Sequence, residues 1–123
     1  MPHLIVEYTD NVGDFDSEQL LADMLHYLAG TPHFEEIDIK ARAVNLSVYR
    51  VGEQADGRGF VHARLAILSG RSPEVKKELS SHLLEVLRER LQSVANLHLQ
   101  LCVEIQEIDR PSYAKTVINS ESS

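Results

Sequence analysis

The chain has 123 residues, 43% of them apolar, which suits one soluble domain with a buried core and excludes a disordered or fibrous chain. Nineteen acidic against twelve basic side chains leave a formal charge of −7, which opposes the phosphate-driven attraction behind nucleic-acid binding. The single cysteine, Cys102, has no partner for an internal disulfide, the apolar runs are too short to span a bilayer, and MPHLIVEYTDN lacks the layout of a secretory signal, so a cytoplasmic protein with no membrane or nucleic-acid partner is expected.

Residues Pro2 to Tyr8 form a short run of β-formers, ended by the turn chemistry of Asp10 to Asp14. Asp16 is placed to cap a helix with Gln19 at its third position, and Leu20, Leu21, Met24, Leu25 and Leu28 share one face until Gly30 and Pro32 stop it. From about Ile39 to Val51, Val44, Leu46 and Val48 alternate with Asn45, Ser47 and Tyr49, which predicts a second strand with the valines and leucine on its buried face. Gly52 to Gly59 reads as a loop, and Phe60 to Leu68 as a third strand. Ser72 and Pro73 in Gly70-Arg71-Ser72-Pro73 suit the cap and first position of a second helix, which Val75, Leu79, Leu83, Val86, Leu87, Leu91 and Val94 carry to about Ser93. Leu97, Leu99, Leu101, Val103 and Ile105 then alternate as strand four, and the stretch from Arg110 to Ser123 is weakly patterned, expected to lie over a neighbour or to be partly mobile.

The order β-α-β, β-α-β suggests an internal duplication, with Met1-Pro2-His3 opposite Phe60-Val61-His62 and pseudo-repeats over about 1–52 and 59–108. Right-handed crossovers make each unit a parallel pair, so the expected fold is α+β: a single domain over 1–123, a two-layer sandwich with a four-stranded mixed sheet and two helices on one face. The other sheet face is left uncovered, and its apolar alternation is expected to be buried against further copies of the chain. The six histidines show no recognised ligand spacing, so no metal and no cofactor are expected.

Three fragments in order, Pro2 to Asn11 (Pro-His-Leu-Ile-Val-Glu-Tyr-Thr-Asp-Asn), Phe60 to Leu65 (Phe-Val-His-Ala-Arg-Leu) and Gly70 to Ser72 (Gly-Arg-Ser), resemble the 5-carboxymethyl-2-hydroxymuconate Δ-isomerase family of the tautomerase superfamily, with Glu104-Ile105-Gln106-Glu107 at a comparable acidic strand end. The resemblance implies a tautomerase-like fold, assembly as a homotrimer, a place in homoprotocatechuate degradation, a small anionic substrate of dicarboxylate type, and an N-terminal proline as base. By resemblance that proline is Pro2, and the arginine of the family's Gly-Arg-Ser turn is Arg71. Where the family carries an Arg-x-Arg stretch, this chain has Lys40-Ala41-Arg42, so the first cation keeps its charge and loses the fork that fits a carboxylate.

Moving a double bond into conjugation with a carbonyl needs a base that takes an allylic proton and returns it to another carbon. A neutral secondary amine serves if its pKa lies near the working pH, and both burial and nearby cations lower that pKa. Pro2 is therefore the expected base and acid, Arg71 the carboxylate or enolate clamp, and Lys40 and Arg42 the candidates for a second anionic contact. While Met1 is attached the proline nitrogen is an amide with no basic lone pair, so the chemistry requires its removal. By their residue types alone, Pro2 also suits the first position of an edge strand, Arg71 a solvent-facing turn, and Lys40 and Arg42 a polar strand face. Tautomerisation of a smaller 2-keto acid, or a non-catalytic oligomeric binding module on the same fold, is the alternative function.

Overall fold

The computed structural model describes residues 1–94 and 96–119. Its elements are β1 (His3–Thr9), α1 (Ser17–Ala29), β2 (Lys40–Leu46), β3 (Arg58–Leu68), α2 (Pro73–Leu91) and β4 (His98–Ile108). The strands form one sheet in the order β2-β1-β3-β4, with β1 and β2 parallel, β3 and β4 parallel, and β1 antiparallel to β3 at the centre. This is the expected two-layer α+β architecture, with each helix crossing over between the strands of its own pair.

Both helix starts follow from their caps. The Asp16 carboxylate accepts from the Gln19 amide at 3.0 Å, and the Ser72 hydroxyl accepts from the Val75 amide at 3.2 Å. Gln19 completes only half of a capping box, because its side-chain amide donates forward to Asp23 at 2.9 Å. Leu20, Met24 and Leu28 of α1 meet Leu79, Leu83, Leu87 and Leu91 of α2 over the sheet, where Leu4, Val6, Val61, Ala63, Leu65 and Ile67 complete the core.

The pairing register corrects the expected face of β2. Ala41 stands opposite Leu4 and Ala43 opposite Val6, on the helix side, whereas Val44 stands opposite Glu7 on the uncovered side and Val48 is 92% exposed. The strand also ends at Leu46 rather than Val51, because its partner ends at Thr9 and turns into a short 3-10 segment, leaving residues 47–51 without a ladder.

The uncovered face differs from expectation as well. Across it run Lys40, His3 and Ala66, then Arg42, Ile5, Arg64 and Glu104, then Val44, Glu7, His62 and Cys102. Charge, with the His62–Glu104 contact at 3.3 Å, dominates a surface expected to be apolar.

β1 and β3 approach closely at one end of the sheet. The buried Thr9 hydroxyl accepts from the Phe60 amide at 3.1 Å, and a Cβ at Gly59 would stand 2.6 Å from that oxygen and 2.7 Å from Asn11 Oδ1. Only glycine fits this approach. After β4 the described part of the tail folds back on its own chain. Tyr113 reaches His3 and Lys115 reaches Asp38, while residues 120–123 lie outside the described residues.

Candidate active site

Antiparallel pairing of β1 and β3 brings the start of one strand beside the end of the other. Pro2, buried just before β1, is fixed by its carbonyl, which accepts from the Lys40 amide at 3.0 Å and continues the parallel ladder with β2. At the same end of the sheet, β3 passes through Ser69 and Gly70 to Arg71, immediately before the cap of α2. The loop from α1 to β2 closes over them with His33 and Phe34. Together these segments wall a cavity of about 260 Å³ containing Pro2, Phe34, Asp38, Arg71 and Arg110. A larger recess of about 430 Å³ lies at the opposite end of the sheet, against Arg58 and His98, and holds no residue expected to act.

Arg71 is held in place. Its Nη2 donates to the His33 carbonyl at 2.7 Å, and its guanidinium carbon sits 5.5 Å from the centre of the Phe34 ring. Its Nε is buried without an acceptor among the described residues. A charged fork fixed by a backbone carbonyl and an aromatic face is already oriented before any anion arrives.

Around the N-terminus, charges of both signs meet. The Met1 amine lies 4.0 Å from Asp38 Oδ2, and Lys115 Nζ donates to Asp38 Oδ1 at 2.7 Å. Burial lowers the amine pKa from its ordinary 8.0; Asp38 opposes this, and Lys40, Lys115 and Arg71 add to it. The hydrogen bond from Lys115 holds the Asp38 carboxyl below its ordinary value, so it stays anionic and compensated. His3, whose Nε2 is 3.0 Å from the Tyr113 hydroxyl, is pushed down by burial first and then by Lys40, Arg42, the terminal amine and Lys115. The field at this end of the sheet is therefore cationic despite the acidic chain.

Of the residues singled out from sequence, Pro2 and Arg71 come together in one cavity. Lys40 is close enough to act on the amine, but its Nζ donates to the Asp38 carbonyl and it does not line the cavity. Arg42 is exposed on the uncovered sheet face, beyond the cavity wall, and its charge is felt at His3. Sequence reasoning missed Asp38, Phe34, Arg110 and Lys115. No sequence pattern marks Arg110; the β3–β4 register places it, since Leu68 pairs with Ile108 and the next two residues on each chain segment reach Gly70 and Arg110.

Comparisons with known proteins bear on the family and the fold. The model of a family described as 5-carboxymethyl-2-hydroxymuconate isomerase matches residues 2–121. A 5-carboxymethyl-2-hydroxymuconate isomerase from Deinococcus radiodurans R1 superposes with a TM-score of 0.87 at 37% identity, covering 94% of this chain and 88% of that one. A 5-carboxymethyl-2-hydroxymuconate delta-isomerase, at 20% identity, gives 0.81 over 95% of this chain and 89% of that one. A fused 4-OT wild-type symmetric trimer, at 14% identity, gives 0.70 over 92% and 90% and shares the fold. A search of curated protein sequences finds no match.

Proposed function

The chain belongs to the 5-carboxymethyl-2-hydroxymuconate isomerase family, and from that premise we propose that, once Met1 is removed, the Pro2 amine moves a proton on an unsaturated 2-hydroxy/2-keto acid with more than one carboxylate, of the 5-carboxymethyl-2-hydroxymuconate type. The observation that carries this reading is the buried Pro2 in one cavity wall with the anchored guanidinium of Arg71.

Removal of Met1 turns an amide nitrogen into a secondary amine on a rigid ring, close to the Lys40, Lys115 and Arg71 charges that, with burial, lower the pKa of the Met1 amine. The neutral amine takes a proton from the substrate, leaving a dienolate. The resulting ammonium returns it at a carbon of that dienolate, so the amine ends as it began. Arg71 faces the negative charge that grows on the enolate or on its attached carboxylate, and because it is held before binding it spends little reorganisation in the transition state. Phe34 and Ile67 supply apolar wall in the same cavity as Pro2.

A cytoplasmic homotrimer fits the reading. The fold shared with a structure described as a symmetric trimer supports threefold assembly, with the uncovered, charged sheet face turned toward neighbouring copies. The chain would act in aromatic compound catabolism, on a product of ring opening.

The test is ultraviolet observation of enol-to-ketone conversion by the wild type and by Pro2→Ala, both verified by mass to lack Met1. Pro2→Ala is expected to keep the fold and assembly and to lose most turnover. Undiminished turnover by that variant removes the proline from the chemistry.

A further inference from the structure

The register of β3 with β4 has an outcome beyond the sheet. Leu68 pairs with Ile108, and the two strands run parallel, so the segments that leave them travel side by side. Two residues on, Arg110 lies over Gly70, where a Cβ would come 3.7 Å from Arg110 Nη2. Gly70 has φ +121°, a conformation that a side chain makes strained, and this turn carries Arg71 to one side of the cavity. Arg110 reaches the same cavity from the tail.

Its guanidinium is also fixed in advance. Nε and Nη2 donate to the Ser69 carbonyl at 3.2 and 2.9 Å, which leaves Nη1 and one Nη2 hydrogen for another acceptor. Among the described residues no carboxylate pairs with Arg110, although Asp38 and Glu35 also line the cavity. Asp38 is occupied by Lys115. The cavity thus presents two guanidiniums, each tethered through one edge to a backbone carbonyl, one from the β3–α2 turn and one from the tail.

We propose that Arg110 is the second anion contact of this cavity, the residue that selects a ligand with two carboxylates over one with a single carboxylate. Arg110's role rests on the reading of the Pro2–Arg71 cavity as the substrate site, and it assigns to the tail the part that Lys40 and Arg42 were expected to play. The tail is pinned across the end of the sheet by Tyr113 on His3 and by Lys115 on Asp38, which keeps the segment following Arg110 in register with the cavity. A charge-assisted bond of this kind contributes about ten- to a hundredfold in affinity.

The experiment compares adipate with hexanoate, which differ only in the second carboxylate, by calorimetric binding to the processed chain. The wild type is expected to prefer adipate by about tenfold or more, with Arg110→Gln bringing the preference to within about threefold. Arg110→Lys, which keeps the charge without the fork, is expected to fall between them and serves as the reading if Arg110→Gln is poorly folded. Arg88→Gln removes the same charge on the exposed face of α2 and is expected to leave the preference as it was.

An unchanged preference in Arg110→Gln overturns the assignment. So does an equal fall in Arg88→Gln, which marks a net-charge effect, or a wild type with no preference at all. Binding is read without turnover. A chain that prefers adipate through Arg110 yet converts no enol acid would retire the proposed reaction and leave the Arg110 contact standing.

Discussion

Replacing Arg71 with alanine separates its part in the chemistry from its part in the fold. In the fold, the side chain supplies one hydrogen bond to the His33 carbonyl and a face-on contact with Phe34, together about 1–2 kcal/mol. Against that stands its buried Nε with no acceptor, whose removal returns about 1 kcal/mol or more. The net cost is about 1 kcal/mol or less, a fall in melting temperature of only a few degrees, roughly 2–5 °C. In the chemistry, loss of a pre-oriented donor facing developing negative charge costs about 10²- to 10³-fold in kcat/KM. Thermal unfolding and steady-state kinetics on 5-carboxymethyl-2-hydroxymuconate, run on the same preparation, give both quantities. Arg71→Lys, with charge but no fork, is expected to fall between wild type and alanine. A kcat/KM for Arg71→Ala within threefold of wild type, or a stability loss above about 3 kcal/mol with a matching loss of activity, refutes the reasoning.

Two further sets of changes test the electrostatics and the core. Because the neutral amine is the base, kcat/KM rises with pH through the amine pKa, and a lowered pKa places that rise at lower pH. On the proposal that the Pro2 amine meets the charges that surround the Met1 amine, Lys115→Met removes a cation and frees Asp38, moving the rise to higher pH, while Asp38→Asn removes the opposing anion and moves it lower; a pH–rate profile with both shifts in one direction contradicts this. In the core, Leu83 is fully buried at the contact between α2, α1 and the sheet, so Leu83→Ala is expected to cost about 3–5 kcal/mol in a denaturant titration, and a loss below 1 kcal/mol would mean the site collapses around the change.

The elements whose signals are local were legible in the sequence. Asp16 and Ser72 announced the helix starts through short polar side chains that bond amides three residues on, and the leucines of α2 kept their period along its length. The face of β2 was not legible, because the pattern Val44, Leu46, Val48 carries more apolar bulk than Ala41 and Ala43. Pairing of Ala41 with Leu4 and of Ala43 with Val6 decides the face. The polar character of the uncovered face was hidden for a similar reason, since it is assembled from single residues on four strands.

The cavity was half visible. Pro2 and Arg71 stood out through the resembling fragments. Arg110 and Lys115 sit in a stretch without periodicity, and only the β3–β4 register and the return of the tail across the sheet place them beside Pro2. Arg42, marked by the resemblance through Lys40-Ala41-Arg42, stands on the uncovered sheet face, outside the cavity at the end of the sheet.

The central claim, that the Pro2 nitrogen is the base, is tested most directly by the state of Met1. Preparations that keep Met1 and preparations that have lost it, distinguished by intact mass, are assayed on 5-carboxymethyl-2-hydroxymuconate under one set of conditions. Turnover confined to the chain that begins at Pro2 is the predicted result. Equal rates from both preparations, or no turnover by the fully processed chain, would contradict it.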